Sequence, residues 1–83
     1  MPSSDKPVWR VPVGQRVRTS RLALNWTQER LADETGMHST YVGDAERAER
    51  NVSLDNILKL AKALEIQPGE LLDGLQERIK LPR

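Results

Sequence analysis

The sequence predicts an all-α fold, a compact bundle of five short helices in one small domain. The chain has 83 residues, a single-domain length that can bury one modest core. Apolar residues recur at helical spacing from Val13 onwards, and no segment alternates as a half-buried strand would. The pattern is interrupted at Asn25-Trp26, at Gly36, at residues 48–52 and at Gln67-Pro68-Gly69, so each predicted helix is short. We therefore expect helices packed on helices, without a sheet.

The first twelve residues are the exception to the helical pattern. MPSSDKPVWRVP contains three prolines and has no helical period. Residues 1–12 are therefore predicted to form an extended or flexible arm, and residues 13–83 to form the domain. Trp9 is the one aromatic side chain of this arm. We favour its packing on the domain's own surface over a contact with a partner.

Five helices are predicted in the domain, and turn or cap residues separate them. Thr27 and Ser53 are predicted N-caps, because a side-chain oxygen there can accept a hydrogen bond from a free amide of the first turn. Gly36 can adopt the left-handed conformation that ends a helix, and Pro68 suits the first turn of the last one. The predicted helices span residues 13–24, 28–35 and 39–47, then Leu54 to Leu64, and Glu70 to about Lys80.

The composition argues against several classes of function. The chain has no cysteine, which excludes disulfides and thiolate zinc sites, and its single histidine, His38, excludes a multi-histidine metal site. No general-base constellation or phosphate-cradling glycine loop is found. No apolar run approaches the roughly 20 residues of a membrane span, and the polar start does not resemble a secretory signal. We expect no enzymatic activity, no metal or other cofactor and no membrane association.

The charge is nearly balanced but unevenly distributed. The net charge is +1, whereas a nucleic-acid-binding protein usually has a clear basic excess. Residues 1–25 hold five basic residues and one acidic residue, and residues 26–46 hold one basic and five acidic residues. Residues 47–52 are again basic, with two arginines and one glutamate. The two basic stretches matter for function only if the fold brings them together.

Residues 27–47 carry the strongest functional signal. In TQERLADETGMHSTYVGDAER, two short predicted helices meet at Gly36, with small Ala32 and Ala45 where steeply crossing helices approach closely. Polar residues occupy the predicted outer face of the second helix. This is the pattern of a helix-turn-helix, which presents its second helix to the major groove of DNA. Spacing alone leaves open an ordinary helical hairpin in a small bundle.

At these residues the sequence resembles a known family. It is similar to the XRE type of helix-turn-helix domain, found in phage repressors, Cro proteins and many small bacterial regulators, over roughly residues 13–72. TYVGDAERAERNVS is most similar to the controller proteins of restriction–modification systems. The resemblance implies a lambda-repressor-like fold. It rests on the Thr27-Gln28 opening of helix two, Leu31-Ala32, Gly36, Val42, Ala45, Glu46 and the segment SLDNILKLAKALEIQPGELL.

The resemblance also implies roles for individual residues. Arg21, late in helix one, is expected to pair with Glu46 at the end of helix three and so to fix the orientation of the two helices. Gln28 is expected to meet a phosphate at the amino end of helix two, where free amides and the helix dipole favour an anion. The expected DNA contacts are Gln28, His38, Ser39, Thr40, Tyr41, Asp44, Arg47, Arg50 and Asn51.

Several of these residues have structural alternatives. Asp44 could accept a hydrogen bond from a cytosine amino group, or could face solvent or pair with Arg47. His38 is more readily explained as a polar corner residue than as a base contact. Tyr41 is as readily structural as it is a phosphate contact. Arg16 and Arg18 are further phosphate candidates, with a solvated helix face as the alternative.

The fifth predicted helix carries the expected dimer surface. Leu72, Leu75 and Ile79 fall at positions i, i+3 and i+7, and Ile66 at the preceding corner could join them. Their alternative is a stripe that folds back onto its own domain. Because one helix-turn-helix reads few base pairs, members of the family usually bind DNA as symmetric dimers.

Together, the sequence and the resemblance predict a bacterial transcriptional regulator that binds double-stranded DNA. It is expected to bind a near-palindromic operator as a homodimer, to be cytoplasmic and nucleoid-associated, and to lack a small-molecule effector. Controller, phage-type repressor and antitoxin remain open as subtypes. The alternative is a protein-interaction module, or an antitoxin component that binds a partner protein.

Overall fold

The computed structural model describes residues 7–82 and consists of helices joined by short turns. No strand occurs among these residues, so the predicted all-α fold class is confirmed. None of the described helices is both long enough and apolar enough to cross a membrane. The α-helices are α1 (Arg10–Ala23), α2 (Gln28–Thr35), α3 (Ser39–Glu46), α4 (Leu54–Leu64) and α5 (Pro68–Leu72), followed by a 3-10 turn at Leu75–Arg78.

The predicted helix ends are confirmed at four positions. The side chains of Thr27 and Ser53 each accept a hydrogen bond from the backbone amide three residues later, at 3.0 and 3.1 Å. Gly36 ends α2 with a φ of 75°, in the left-handed region that glycine adopts without strain. Pro68 lies in the first turn of α5. The two caps thus bind amides that have no partner within the helix, while Pro68 has no such amide and Gly36 allows the chain to leave the helix.

The first helix begins earlier than the sequence predicts. α1 starts at Arg10, so residues 10–12 of the predicted arm are helical. Pro12 is compatible with this start because it lies in the first turn, where a backbone amide has no intrahelical partner. Trp9 packs against the core, as favoured above. The predicted arm's residues 1–6 lie outside the described part of the chain.

The core lies where all five helices meet. Each helix contributes at least one side chain that is almost completely removed from solvent. Burial of an aliphatic side chain of this size contributes about 1.5–3 kcal/mol to folding. The positions that repeat at helical spacing in the sequence are therefore the ones that hold the helices together. The largest fully buried side chains are Val13, Val17, Leu31, Val42, Leu60 and Leu71.

A glycine of α1 allows that helix to lie directly against the end of α3. A Cβ atom added to Gly14 would lie 2.5 Å from the carbonyl oxygen of Ala45 and 2.7 Å from that of Glu46. This close approach is not among those predicted from the sequence, which involve Ala32 and Ala45. A glycine inside a helix costs about 1 kcal/mol of stability relative to alanine, so its presence there indicates a packing reason. The position of Gly14 within the predicted first helix is the signal in the sequence for this close approach.

The C-terminal helix is shorter than predicted. α5 ends at Leu72, and the chain then turns at Gly74, which has a φ of 76°. The following 3-10 turn ends at Arg78, so the predicted continuous helix to about Lys80 is wrong. A left-handed glycine ends the 3.6-residue period, and side chains beyond it no longer lie on one stripe.

This turn corrects the expected dimer surface at one position. Leu75 is buried in the core of its own chain, with 6% of its surface exposed, so its prediction as a dimer contact is wrong. Leu72 and Ile79 remain 39% and 50% exposed. Ile66 is partly buried against the core. The alternative of folding back onto the domain therefore holds for Leu75 and not for the two exposed residues.

Candidate nucleic-acid interface

A buried ion pair fixes the end of α3 against α1. Arg21 donates from Nε to Glu46 Oε2 at 2.7 Å and from Nη2 to Oε1 at 3.0 Å. The Arg21 and Glu46 side chains are only 8% and 2% exposed. The hydrogen bond to Glu46 raises the pKa of Arg21 above its ordinary value, against the opposing effect of burial. A two-bond contact of this kind sets the relative orientation of the two helices as well as their distance.

Gln28, at the start of α2, is joined to the same pair. Its Nε2 donates to Glu46 Oε1 at 3.0 Å, and the side chain is half-buried. A Cβ atom at Gly43 would lie 3.3 Å from Gln28 Oε1, so this glycine gives the glutamine side chain its room. The expected phosphate contact of Gln28 therefore has to be made while one of its amide hydrogens is directed at Glu46.

The start of α3 carries three of the predicted contact residues. His38 is the N-cap position and is exposed, without a side-chain capping bond. Thr40 in the first turn is exposed, and Ser39 is half-buried. Polar hydrogen-bonding groups therefore face solvent at the amino end of a helix that the core holds through Val42 and Ala45.

Three charged side chains and one aromatic ring, on α3 and directly after it, form a cluster that we call the Asp44 cluster: Asp44, Arg47, Arg50 and Tyr41. Asp44 Oδ1 accepts a hydrogen bond from Arg47 Nη2 at 2.8 Å, and Oδ2 accepts one from Arg50 Nη2 at 3.2 Å. The Arg50 guanidinium lies over the Tyr41 ring, 4.8 Å from its centroid. The pairing of Asp44 with Arg47, left open by the sequence, is present here.

Tyr41 also connects this cluster to α4. Its hydroxyl oxygen accepts a hydrogen bond from Asn56 Nδ2 at 2.9 Å, and the side chain is half-buried. The tyrosine is therefore held from a second helix while its ring supports Arg50. The Asn56–Tyr41 hydrogen bond therefore restricts the position of the Arg50 guanidinium relative to the exposed face of α3.

Asn51, after α3, brings the start of α1 to the same region. Its Oδ1 accepts a hydrogen bond from Arg10 Nε at 2.7 Å. Arg10 belongs to the arm that the sequence predicts, and the sequence predicts no role for it at the interface. The only sequence signal for Arg10 is that it lies in the basic stretch 1–25. That this stretch comes close to residues 47–52 depends on the fold and cannot be predicted locally.

Arg16 does not lie with these groups. Its Nη1 donates to the carbonyl oxygens of Leu71 and Asp73, at 3.1 and 2.8 Å. A cation at the end of a helix interacts favourably with the last carbonyls, so Arg16 links α1 to the end of α5. Neither sequence alternative for Arg16, phosphate contact or solvated face, describes this position. Arg18 is exposed.

The arrangement offers polar and basic donors on one surface and no metal-binding chemistry within residues 7–82. No group of three or more His, Asp or Glu side chains among these residues is placed to hold a metal ion. The exposed residues of α3 can donate to or accept from base edges, and guanidinium groups suit phosphate oxygens. This surface is the candidate interface, and its members are Gln28, His38, Ser39, Thr40, the Asp44 cluster, Asn51 and Arg10.

Comparisons with known proteins bear on this surface. A family model described as helix-turn-helix matches residues 17–71, which contain α2, the turn at Gly36 and α3. The chain is 55% identical over 65 residues to the control protein C.BamHI of Bacillus amyloliquefaciens, a match that covers 77% of this chain and 80% of that protein.

Two solved structures add a likeness in fold. The restriction-modification controller protein C.AhdI from Aeromonas hydrophila matches with a TM-score of 0.72 and 56% identity, covering 74% of this chain and 92% of that one. The P22 c2 repressor, solved in complex with a synthetic operator, matches with a TM-score of 0.70 and 34% identity, covering 75% and 94% of the two chains.

Proposed function

The chain belongs to the XRE-type helix-turn-helix family, and from this membership we propose that it is a sequence-specific DNA-binding transcriptional regulator. It binds a near-palindromic operator as a homodimer, with α3 in the major groove. The observation that carries the proposal is the α2–Gly36–α3 unit, whose second helix is held by the core and by Glu46 while its polar residues face solvent.

The proposed contacts divide into base-reading and positioning groups. Ser39 and Thr40 can donate to or accept from base edges, and the Thr40 methyl group suits the methyl group of thymine. Positioning contacts to phosphates carry no sequence information but fix the register of the protein on the duplex. We assign this second role to Gln28, Tyr41, Arg50 and Asn51, whereas His38 lies at the corner before α3, beside the base edges, and Arg47 meets either a base or a phosphate.

Control of a restriction–modification system is the subtype that we propose. The support is the identity above 50% to one protein named as a control protein and to another described as a controller protein. The alternative, a module or antitoxin component that binds a partner protein, is not favoured by these relatives. We further propose that the protein is a regulator without enzymatic activity, and that it acts in the bacterial cytoplasm in association with the nucleoid.

Homodimerisation gives the first prediction. We expect gel filtration with light scattering to give twice the chain mass at high protein concentration, because Leu72 and Ile79 expose apolar surface beside α5. Leu72→Ser should shift the protein towards the monomer. Leu22→Ser is the matched control, since Leu22 is similarly exposed but lies on α1. A strictly monomeric wild type would remove the homodimer from the proposal.

DNA binding should depend strongly on salt. In mobility-shift titrations with the duplex upstream of the protein's own gene, log affinity is expected to fall with log salt by about 0.9 per neutralised phosphate. Arg50→Gln should make this slope shallower by about 1 for each chain that loses a phosphate contact. Lys62→Gln, an exposed residue of α4, serves as the control and should leave the slope unchanged. A wild-type slope equivalent to only one or two phosphates would contradict the proposed interface.

A further inference from the structure

Asp44 is an acidic side chain within the surface that is proposed to meet a polyanion. We propose that it acts as an internal counter-ion of Arg47 and Arg50, lowering affinity for DNA of any sequence and thereby raising the preference for the operator. This inference rests on the proposed function and deepens it, because it names a residue that determines specificity without reading a base.

The position of the carboxylate supports this role. Both oxygens of Asp44 accept a hydrogen bond from an arginine, at 2.8 and 3.2 Å. The Asp44 side chain is 22% exposed, whereas those of Arg47 and Arg50 are 56% and 47% exposed. The carboxylate is therefore less exposed than the two guanidinium groups that it binds, and it is bonded to both, whereas Glu49 contacts Arg47 alone, at 3.4 Å. Each carboxylate oxygen is thus already bonded to a charged donor, and such bonds are stronger than bonds to neutral donors, so the two arginines hold Asp44 as their counter-ion.

Arg50 is held from a second side, which gives it a defined orientation. Its guanidinium stacks on the Tyr41 ring, and the Tyr41 hydroxyl is bonded to Asn56 of α4. A guanidinium has five N–H donors, and the bond from Arg50 to Asp44 uses one of them. Arg50 can therefore bind a phosphate while it remains bonded to Asp44. This requires that the phosphate lies on the side to which the remaining N–H groups point.

This restriction affects the two kinds of DNA complex differently. Binding to random DNA is essentially electrostatic and has no fixed register, so a carboxylate that neutralises arginine charge weakens it directly. At the operator, α3 in the groove sets the position of the phosphates, and arginines that are already oriented lose less side-chain entropy when they bind. Asp44 therefore reduces affinity for random DNA more than affinity for the operator.

The test is Asp44→Asn, which keeps the shape of the side chain and removes its charge. Glu34→Gln is the matched control: Glu34 also pairs with an arginine, Arg30, at 2.9 Å, but on α2. Each protein is titrated against a random-sequence duplex and against the upstream duplex over a range of salt. We expect Asp44→Asn to bind the random duplex about tenfold more tightly, with a slope steeper by about 0.9 per chain, and the ratio of the two affinities to fall.

The possible outcomes separate the inference from the function on which it rests. An effect of Asp44→Asn on the random duplex no larger than that of Glu34→Gln would overturn the inference. So would loss of upstream affinity with random affinity unchanged, which would identify Asp44 as a base contact. A wild type that binds neither duplex would contradict the proposed function as well. Asp44→Ser, with melting temperatures for all variants, provides the same comparison if the asparagine variant folds poorly.

Discussion

Gly14→Ala is expected to lower the free energy of unfolding by about 2–3 kcal/mol and the melting temperature by about 10–20 °C. The added methyl group would lie 2.5 Å from a backbone oxygen of α3, which cannot rotate away as a side chain would. α1 and α3 must therefore separate, which exposes part of the core between them. The gain of about 1 kcal/mol in helix propensity does not offset this loss.

Gly69→Ala is the matched control for this prediction. Gly69 is also helical, but the nearest atom to an added Cβ would be 3.8 Å away, in ordinary contact. This variant should therefore keep or slightly raise the stability of the wild type. Thermal and denaturant unfolding, followed by circular dichroism, measure both changes. Equal stability of the two variants would contradict the close crossing of α1 and α3.

Glu46→Ala is expected to lower the free energy of unfolding by about 3–5 kcal/mol and to weaken DNA binding at the same time. The substitution removes the ionic partner of a buried guanidinium. Arg21 then keeps its hydrogen bond to the carbonyl oxygen of Trp26, at 2.7 Å. It also removes the acceptor of Gln28 and frees the end of α3 to move. Unfolding and mobility-shift titrations on the same samples test this coupled loss.

Two further variants test whether the lost stability of Glu46→Ala comes from breaking a buried ion pair. Glu34→Ala breaks an exposed pair and should cost no more than about 1 kcal/mol. Glu46→Gln keeps one acceptor oxygen for Arg21 and should cost less than Glu46→Ala. Because the pKa of Arg21 is raised, its share of the stability is complete below the ordinary arginine pKa and is lost only above it. Weaker DNA binding by Glu46→Ala with unchanged stability would contradict the structural role.

The positions of the acidic residues explain how a chain with a net charge near zero can still offer basic groups to DNA. Glu46 is bonded to Arg21, Glu34 to Arg30, and Asp44 to the arginines after α3. Three of the five acidic residues in the stretch 26–46 are thus paired with arginines, whereas Glu29 and Asp33 are exposed on α2. A net charge near zero is compatible with DNA binding under these conditions, although it predicts modest affinity for random sequences.

The helices and their caps could be predicted because those signals are local. Thr27, Gly36 and Ser53 act through backbone groups a few residues away, and the buried positions repeat at helical spacing. The sequence predicts too late a start for α1, because a proline usually breaks a helix but is tolerated in a first turn, where Pro12 lies. The last helix was extended too far because the turn at Gly74 leaves the apolar spacing of the sequence intact.

Side-chain partners could be predicted far less completely. Arg16 bonds to carbonyl groups more than 50 residues further along the chain, and Arg10 bonds to Asn51. No local pattern specifies such contacts, because they depend on how the helices pack. Asp44 shows the same limit: its type suits a base contact, but the fold pairs it with two arginines.

Selection of binding sites from a library of random DNA duplexes tests the central claim most directly. The account predicts enrichment of one near-palindromic sequence whose half-sites are about one helical turn, roughly 34 Å, apart. The enriched duplex should bind at least 10³-fold more tightly than a shuffled duplex of the same composition at physiological salt. Failure to enrich any sequence, or equal affinity for the enriched and shuffled duplexes, would contradict the claim that α3 reads DNA.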